Sequence, residues 1–196
     1  MIILCAKEMG NVWFGVACDE QRVFSTSFAA SKQEAIKDLL NCIPFDVPFE
    51  TCPEPSLFAD KVLVAIKKIY DGKDISPSFT LATEHLPAYT RRVLEVTLLI
   101  PVGYAASYGS VAKAAGGSPR AVGNVMARNP FAPIVPCHRV VGSDFTLGGY
   151  GGGLDVKLEF LIRERRGYKM PQDVPVGDRI LRVFPVEFLL KAVGKG

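Results

Sequence analysis

Apolar and polar residues alternate with one period in the first part of the chain and another in the rest. "NVWFGVAC" (11–18) and "RVFSTSFAA" (22–30) are rich in β-branched and aromatic residues and are parted by the polar turn "DEQ", a pattern that predicts a β-hairpin. A helical period follows. "SKQEAIKDLLNCI" offers Ser31 as an N-cap, Glu34 three residues on, and Ile36, Leu39 and Leu40 as one apolar face. A Pro-rich linker, "PFDVPFETCPEPS", leads to a second helical run, "LFADKVLVAIKKIYDGK". Its stripe is Leu63, Ile66 and Ile69, and it stops at Gly72.

From Pro87 onward the helical period dominates. "PAYTRRVLEVTLLI" has proline at its first position and ends at the Pro101–Gly103 break. Ser107 can cap "YGSVAKAA", which halts at Gly116–Gly117. Ser118 can cap "PRAVGNVMAR", with Pro119 at its first position and Val122, Val125 and Met126 on one side. Helix, glycine turn and capped helix read as a helix-turn-helix. A last helix, "LDVKLEFLIRERRG", is expected to bury Leu154, Leu158, Leu161 and Ile162, with Glu164 at the edge of that stripe. The tail from Pro171 carries a further apolar stretch, "ILRVFPVEFLL", whose role the sequence leaves open.

These elements predict an α/β (α+β) protein: residues 1–86 as an N-terminal domain of small sheet plus helices, 87–170 as a mainly helical C-terminal domain, and 171–196 as an extension. With 48% hydrophobic and 22% charged residues, the chain suits a globular protein. There is no signal-peptide pattern and no apolar run of the roughly 20 residues that a membrane span needs, so a cytoplasmic protein is expected. Five cysteines without a CxxC pair point to a reducing setting, in which Cys5, Cys18, Cys42 and Cys52 serve as small buried hydrophobes. A zinc site from Cys5, Cys18 and His85 is conceivable, but no spacing argues for it.

Charge changes the picture. Residues 1–86 carry 8 Lys/Arg against 12 Asp/Glu, whereas residues 87–196 carry 15 against 8. The second half is therefore the candidate surface for a polyanion. Within it lies "NPFAPIVPCHRVV" (129–141), where a thiol and an imidazole are adjacent in stiff backbone. A neighbouring imidazole can take the proton of a thiol, and a carboxylate behind it can orient the ring. Cys137 and His138 supply the first two groups, and Glu164 is a candidate third. Consecutive strand residues point to opposite faces, so a direct bond between the two requires a turn and a water relay is the easier geometry. The bland alternative is a buried cysteine beside a half-exposed histidine. The cationic Arg120, second in a capped helix, fits phosphate better than it fits a core.

"IPVGYAASYGSVAKAAG", "SPRAVGNVMARNP", "IVPCHRVV" and "GGYGGGLDVKLEFLIRER" closely resemble the O6-alkylguanine-DNA alkyltransferases, or methylated-DNA–protein-cysteine methyltransferases, from about Pro87 to Arg166. The resemblance implies a ribonuclease-H-like first domain, a winged-helix-like second one, and stoichiometric, suicidal transfer of an alkyl group from O6-alkylguanine, or O4-alkylthymine, to Cys137. His138 would be the water-mediated base, Glu164 its partner, Asn129 the brace of the active-site turn, and Tyr108 a donor to the leaving guanine. Arg120 would enter the duplex by the minor groove as the base flips out. Ala121, Gly123, Arg128 and Ser107 would meet DNA, while Tyr150, Gly151 and the Val140 backbone would line the pocket. It implies no cofactor, a monomer, and double-stranded DNA as partner. Two positions depart from the family pattern: Arg128 directly precedes Asn129, and Gly151 stands where many relatives carry serine. A lesion-binding relative without transfer, or a cysteine hydrolase, is the competing reading.

Overall fold

A computed structural model describes residues 1–44, 46–75 and 79–194. The chain divides into two compact units, Met1–Leu86 with Pro130–Ile134, and Pro87–Asn129 with Val135–Gly196.

The first unit contains β1 (Ile2–Glu8), β2 (Trp13–Cys18), β3 (Arg22–Ala29), α1 (Lys32–Leu40), β4 (Phe49–Thr51), α2 (Leu57–Tyr70) and β5 (Thr80–Leu81). They form one sheet in the order β4-β1-β2-β3-β5, with antiparallel β1–β2 and β2–β3 and parallel outer pairs. β2 and β3 are the expected hairpin. Strand alternation sends Ile2, Leu4 and Ala17 to one face, where they pack with Leu39 of α1. Phe14 points to the other, where it meets Tyr70 of α2 edge-on at 5.3 Å. Ser31 caps α1 by accepting from the Glu34 N–H at 3.3 Å. Two expectations change. Leu40 is exposed, and Ala35 takes its place beside Leu39 on the buried side. The Pro-rich linker holds β4, which pairs with β1; the linker reading at Phe45 lies outside the described residues.

The second unit contains α3 (Ala88–Leu98), β6 (Tyr104–Ser107), α4 (Tyr108–Ala115), α5 (Pro119–Ala127), a 3-10 turn (Cys137–Arg139), β7 (Val140–Val141), α6 (Leu154–Arg163), β8 (Gln172–Val176), β9 (Arg179–Pro185) and α7 (Val186–Ala192). α4 and α5 are the helix-turn-helix. Ser107 accepts from the Ser110 N–H at 3.0 Å and Ser118 from the Ala121 N–H at 3.3 Å. The turn needs glycine: Gly117 has φ +101°, and a Cβ there would come within 2.5 Å of the Tyr89 hydroxyl.

To these helices the structure adds a sheet, β7-β6-β9-β8. The tail that the motifs do not reach supplies half of it. β9 pairs with β6, and Val186, Leu189 and Leu190 of α7 join Ala105, Val141 and Leu161 in one core. Glu187 Oε1 accepts from the Arg166 and Gly167 N–H groups, fastening the end of α6 to this extension.

The buried face of α6 differs from the expectation. Leu154 and Ile162 are exposed, and the face runs through Lys157, Phe160, Leu161 and Glu164. These positions follow the spacing i, i+3, i+4, i+7, but two of the four are charged, so an apolar stripe alone does not find them.

Candidate functional site

Cys137, His138 and Arg139 make one 3-10 turn, closed by the Arg139 N–H to the Pro136 carbonyl at 2.9 Å. This turn is the local device that lets adjacent residues serve one site. Asn129 braces it by donating from Nδ2 to the Val135 carbonyl at 2.9 Å. The Cys137 side chain forms part of the wall of a cavity of about 540 Å³. Tyr108, Pro119, Gly123, Met126, Tyr150 and Gly151 line it as well.

Behind the sulfur lies a buried ionic cluster. His138 Nε2 is 2.9 Å from Glu164 Oε1, and its ring stacks on Phe160 at 4.4 Å. Arg139 grips the same carboxylate with Nε to Oε2 and Nη2 to Oε1, both at 2.8 Å, and gives Nη1 to the Ile100 carbonyl at 2.6 Å. Burial would raise the Glu164 carboxyl, but the imidazole and the guanidinium overcome it and hold the group at about 2. The reverse holds for His138, whose burial outweighs the carboxylate and pushes its pKa down. Arg139 answers the charge on Glu164, so the imidazole stays neutral. A carboxylate only accepts, so the ring proton sits on Nε2 and Nδ1 keeps its lone pair. Nδ1 is buried and bonded to no protein group among the described residues.

Cys137 itself is pushed up by burial. The Asn129 side chain, the Lys157 ammonium and the backbone N–H groups of Cys137 and His138 pull toward thiolate without overcoming it. Lys157 was not among the residues expected here. Fully buried, it donates Nζ to the Val140 carbonyl at 2.6 Å and the Gly149 carbonyl at 3.1 Å. Its Nζ also stands 5.8 and 5.9 Å from the rings of Tyr108 and Tyr150. Burial lowers its pKa to about 8, which the nearby Cys137 only partly counters. Arg139, likewise, carried no sequence signal beyond its place in "PCHRV". The clue available for Lys157 was its spacing on α6, on one face with Phe160, Leu161 and Glu164.

The remaining expected residues fall in three places. Tyr108, Gly123, Tyr150 and Gly151 line the cavity. Tyr108 donates its hydroxyl to the Gly149 carbonyl at 3.3 Å, and burial raises its pKa. Gly148, at φ +66°, lets the ring sit there, since a Cβ would come within 2.8 Å of it. Arg120, Ala121 and Arg128 lie on α5 and at its end. Arg120 and Arg128 are exposed, with no side-chain hydrogen bond or ion pair among the described residues. Ser107 is taken up as a helix cap. Val140 is buried, and its carbonyl is occupied by Lys157. Among the described residues no group of three His, Cys, Asp or Glu side chains is placed to hold a metal ion. No described helix is long and apolar enough to cross a membrane.

Comparison with known proteins follows the same residues. The sequence pattern of the family described as "6-O-methylguanine DNA methyltransferase, DNA binding domain" matches residues 88–166. A methylated-DNA–protein-cysteine methyltransferase of Thermococcus gammatolerans is 35% identical over 164 residues, 81% of this chain and 91% of the relative. One of Methanothermobacter thermautotrophicus is 40% identical over 111 residues, 56% of this chain. The match spans less than two thirds of several curated relatives, 63% of that one and 64% of its Methanocaldococcus jannaschii counterpart. The crystal structure of the O6-methylguanine-DNA methyltransferase of Pyrococcus kodakaraensis KOD1 superposes with a TM-score of 0.65 at 31% identity, covering 84% of this chain and 99% of that one. A Mycobacterium tuberculosis OGT, solved in complex with DNA, gives 0.66 at 25% identity, covering 83% and 92%.

Proposed function

The chain belongs to the methylated-DNA–protein-cysteine methyltransferase family, and on that premise we propose that it reverses DNA alkylation by taking an alkyl group from O6-alkylguanine onto Cys137. The observation that carries this reading is a thiol in the wall of a cavity of about 540 Å³, with an imidazole locked behind it by Glu164 and Arg139. His138 Nδ1 is the ring nitrogen left to accept the thiol proton, through a water. General-base help of this kind is worth roughly 10²–10⁴ in rate.

Cys137 Sγ attacks the alkyl carbon, a carbon–sulfur bond forms, and the carbon–oxygen bond breaks with its electron pair leaving on guanine. Tyr108 gives its hydroxyl bond to the guanine ring as that charge grows, and the ring takes up through water a proton equivalent to the one the thiol gave to His138. The Lys157 ammonium favours the thiolate that attacks. The target oxygen lies inside the base stack, so the nucleotide must be extruded at a cost of a few kcal/mol. Arg120, exposed at the start of α5, fills the space left behind. The thioether has no easy hydrolytic exit, so each monomer reacts once and needs no cofactor.

The test is mass spectrometry after incubation with a duplex carrying one O6-methylguanine. We expect one equivalent of a single methylene-unit adduct on the peptide that holds Cys137, and none in Cys137→Ala. Repeated turnover, or an adduct on another residue, overturns the reading.

A further inference from the structure

A second cavity, of about 330 Å³, opens beside the first turn of α4. Its walls include Ser107, Ser110, Lys113, Ser143, Ile180 and Arg182, and no carboxylate among the described residues that line it. Ile180 and Arg182 belong to β9, beyond the residues 88–166 that carry the family pattern. Lys113 is exposed and makes no ion pair among the described residues. Arg182 contacts Asp173 through Nη1 alone, at 2.8 and 2.9 Å, so its Nε and Nη2 donors stay open. The Phe184 ring, 5.9 Å away, steadies the guanidinium. Asp144, on the loop that follows β7, turns its carboxylate back onto Thr146, accepting from the hydroxyl at 2.7 Å.

We infer that the β8–β9 hairpin extends the DNA-binding face, and that this groove holds a backbone phosphate of the strand whose base enters the cavity at Cys137. The inference rests on the proposed function. Two cations and the Ser110 and Ser143 hydroxyls are the donor set that phosphate oxygens take, the Ser107 hydroxyl being spent on Ser110. Position supports the same partner. Tyr108 lines one cavity and Ser107, the preceding residue, lines the other. The two openings thus flank one turn of a helix about 10 Å across, a distance that a strand with roughly 3.4 Å of axis per phosphate covers in a few nucleotides. Arg182 and Asp173 are each about half exposed, at 50% and 48%, so their pairing adds little to stability and the guanidinium can be shared with a ligand.

The experiment is equilibrium binding of the full chain to duplex DNA across a range of salt, with methyl transfer by the wild type measured in parallel. Arg182→Ala and Lys113→Ala should each lower the slope of log affinity against log salt by about one and weaken binding several-fold at low salt. Arg182→Lys should restore the slope. Asp173→Asn removes a competing carboxylate and should tighten binding. That sign separates contact with DNA from support of the hairpin, because loss of a structural brace would weaken binding in both Arg182→Ala and Asp173→Asn. Unchanged slopes in a wild type that transfers methyl overturn the groove alone. Shifted slopes with no transfer overturn the repair reading and keep the groove.

Discussion

Arg139 and Arg120 are guanidinium groups of one compact unit, and they live under opposite conditions. Arg139 is 7% exposed and spends three nitrogens on Glu164 and Ile100. Arg120 is exposed and bonds to no described side chain. The same division runs through the whole site. Behind Cys137, the His138, Glu164 and Arg139 side chains are fixed by each other, with only His138 Nδ1 unspent. In front, Gly123 and Gly151 have nothing within 4 Å of where a Cβ would stand. A wall with no freedom holds the His138 ring in one geometry. At the rim, the open glycines and the exposed Arg120 leave room and a donor for a molecule that arrives from outside. Substitutions should therefore split the two: stability and chemistry fail together behind the sulfur, while chemistry on DNA fails alone at the rim.

The largest effect is expected from Arg139→Ala. Removing one partner of a buried ion pair costs about 3–5 kcal/mol, and at ~2–4 °C per kcal/mol for a chain of this size the thermal midpoint should fall by roughly 6–20 °C. Acid sensitivity should change with it. Glu164 is held at about 2, below its ordinary 4.5, so its contribution is complete above the ordinary value and is lost as pH falls toward 2. Without the guanidinium the carboxyl is no longer held so low, so the acid-dependent loss should be smaller and complete at a higher pH than in the wild type. Thermal melts of both proteins between pH 2 and 6 check this. Parallel pH curves would mean that Arg139 does not set the state of Glu164.

Lys157→Met is the next test, and it asks whether the wall does more than hold shape. The ammonium favours a thiolate at Cys137, and methionine keeps most of the side-chain volume. Transfer should fall about tenfold at neutral pH, equivalent to ~1.4 kcal/mol of transition-state stabilisation. The alkaline rise of the rate should also move to higher pH, because the thiol loses a neighbouring cation. A purely structural lysine would lower the rate at every pH without moving the profile. The wild-type ammonium, held at about 8, gives up its own proton as pH rises through that value, so the thiolate loses this support there.

Local signals made the rim and the elements legible, and long-range burial hid the wall. Ser31, Ser107 and Ser118 cap the helices that their spacing predicts, and the hairpin at 13–29 follows from alternation. Cys137, His138 and Glu164 were readable because adjacency and the α6 spacing suggested a thiol, a base and a carboxylate. β4 and β7 are three and two residues long, too short to show a period, and they exist through pairing with β1 and β6. Lys157 and Arg139 were missed for one reason: a charged residue in sequence counts as surface until something buried is shown to receive it. The Val140 and Gly149 carbonyls receive Lys157, and the Ile100 carbonyl and Glu164 receive Arg139. These acceptors sit 8 to 39 residues away in sequence.

The smallest structural effect, and the sharpest separation, is expected from Arg120→Ala. An exposed side chain with no described partner should leave stability within about 0.5 kcal/mol of the wild type. If the guanidinium fills the gap left by an extruded nucleotide, it offsets part of a cost of a few kcal/mol. Losing about 1.4 kcal/mol of that is a tenfold slower transfer from duplex DNA. A free O6-benzylguanine base has no stack to leave, so its reaction should suffer far less. The ratio of the two rate losses is therefore the measurement. Equal losses would remove Arg120 from base extrusion, and a lowered thermal midpoint would place it in the wall instead. A duplex-specific loss at unchanged stability keeps the division between the two guanidinium groups, one spent on holding the site and one held in reserve for DNA.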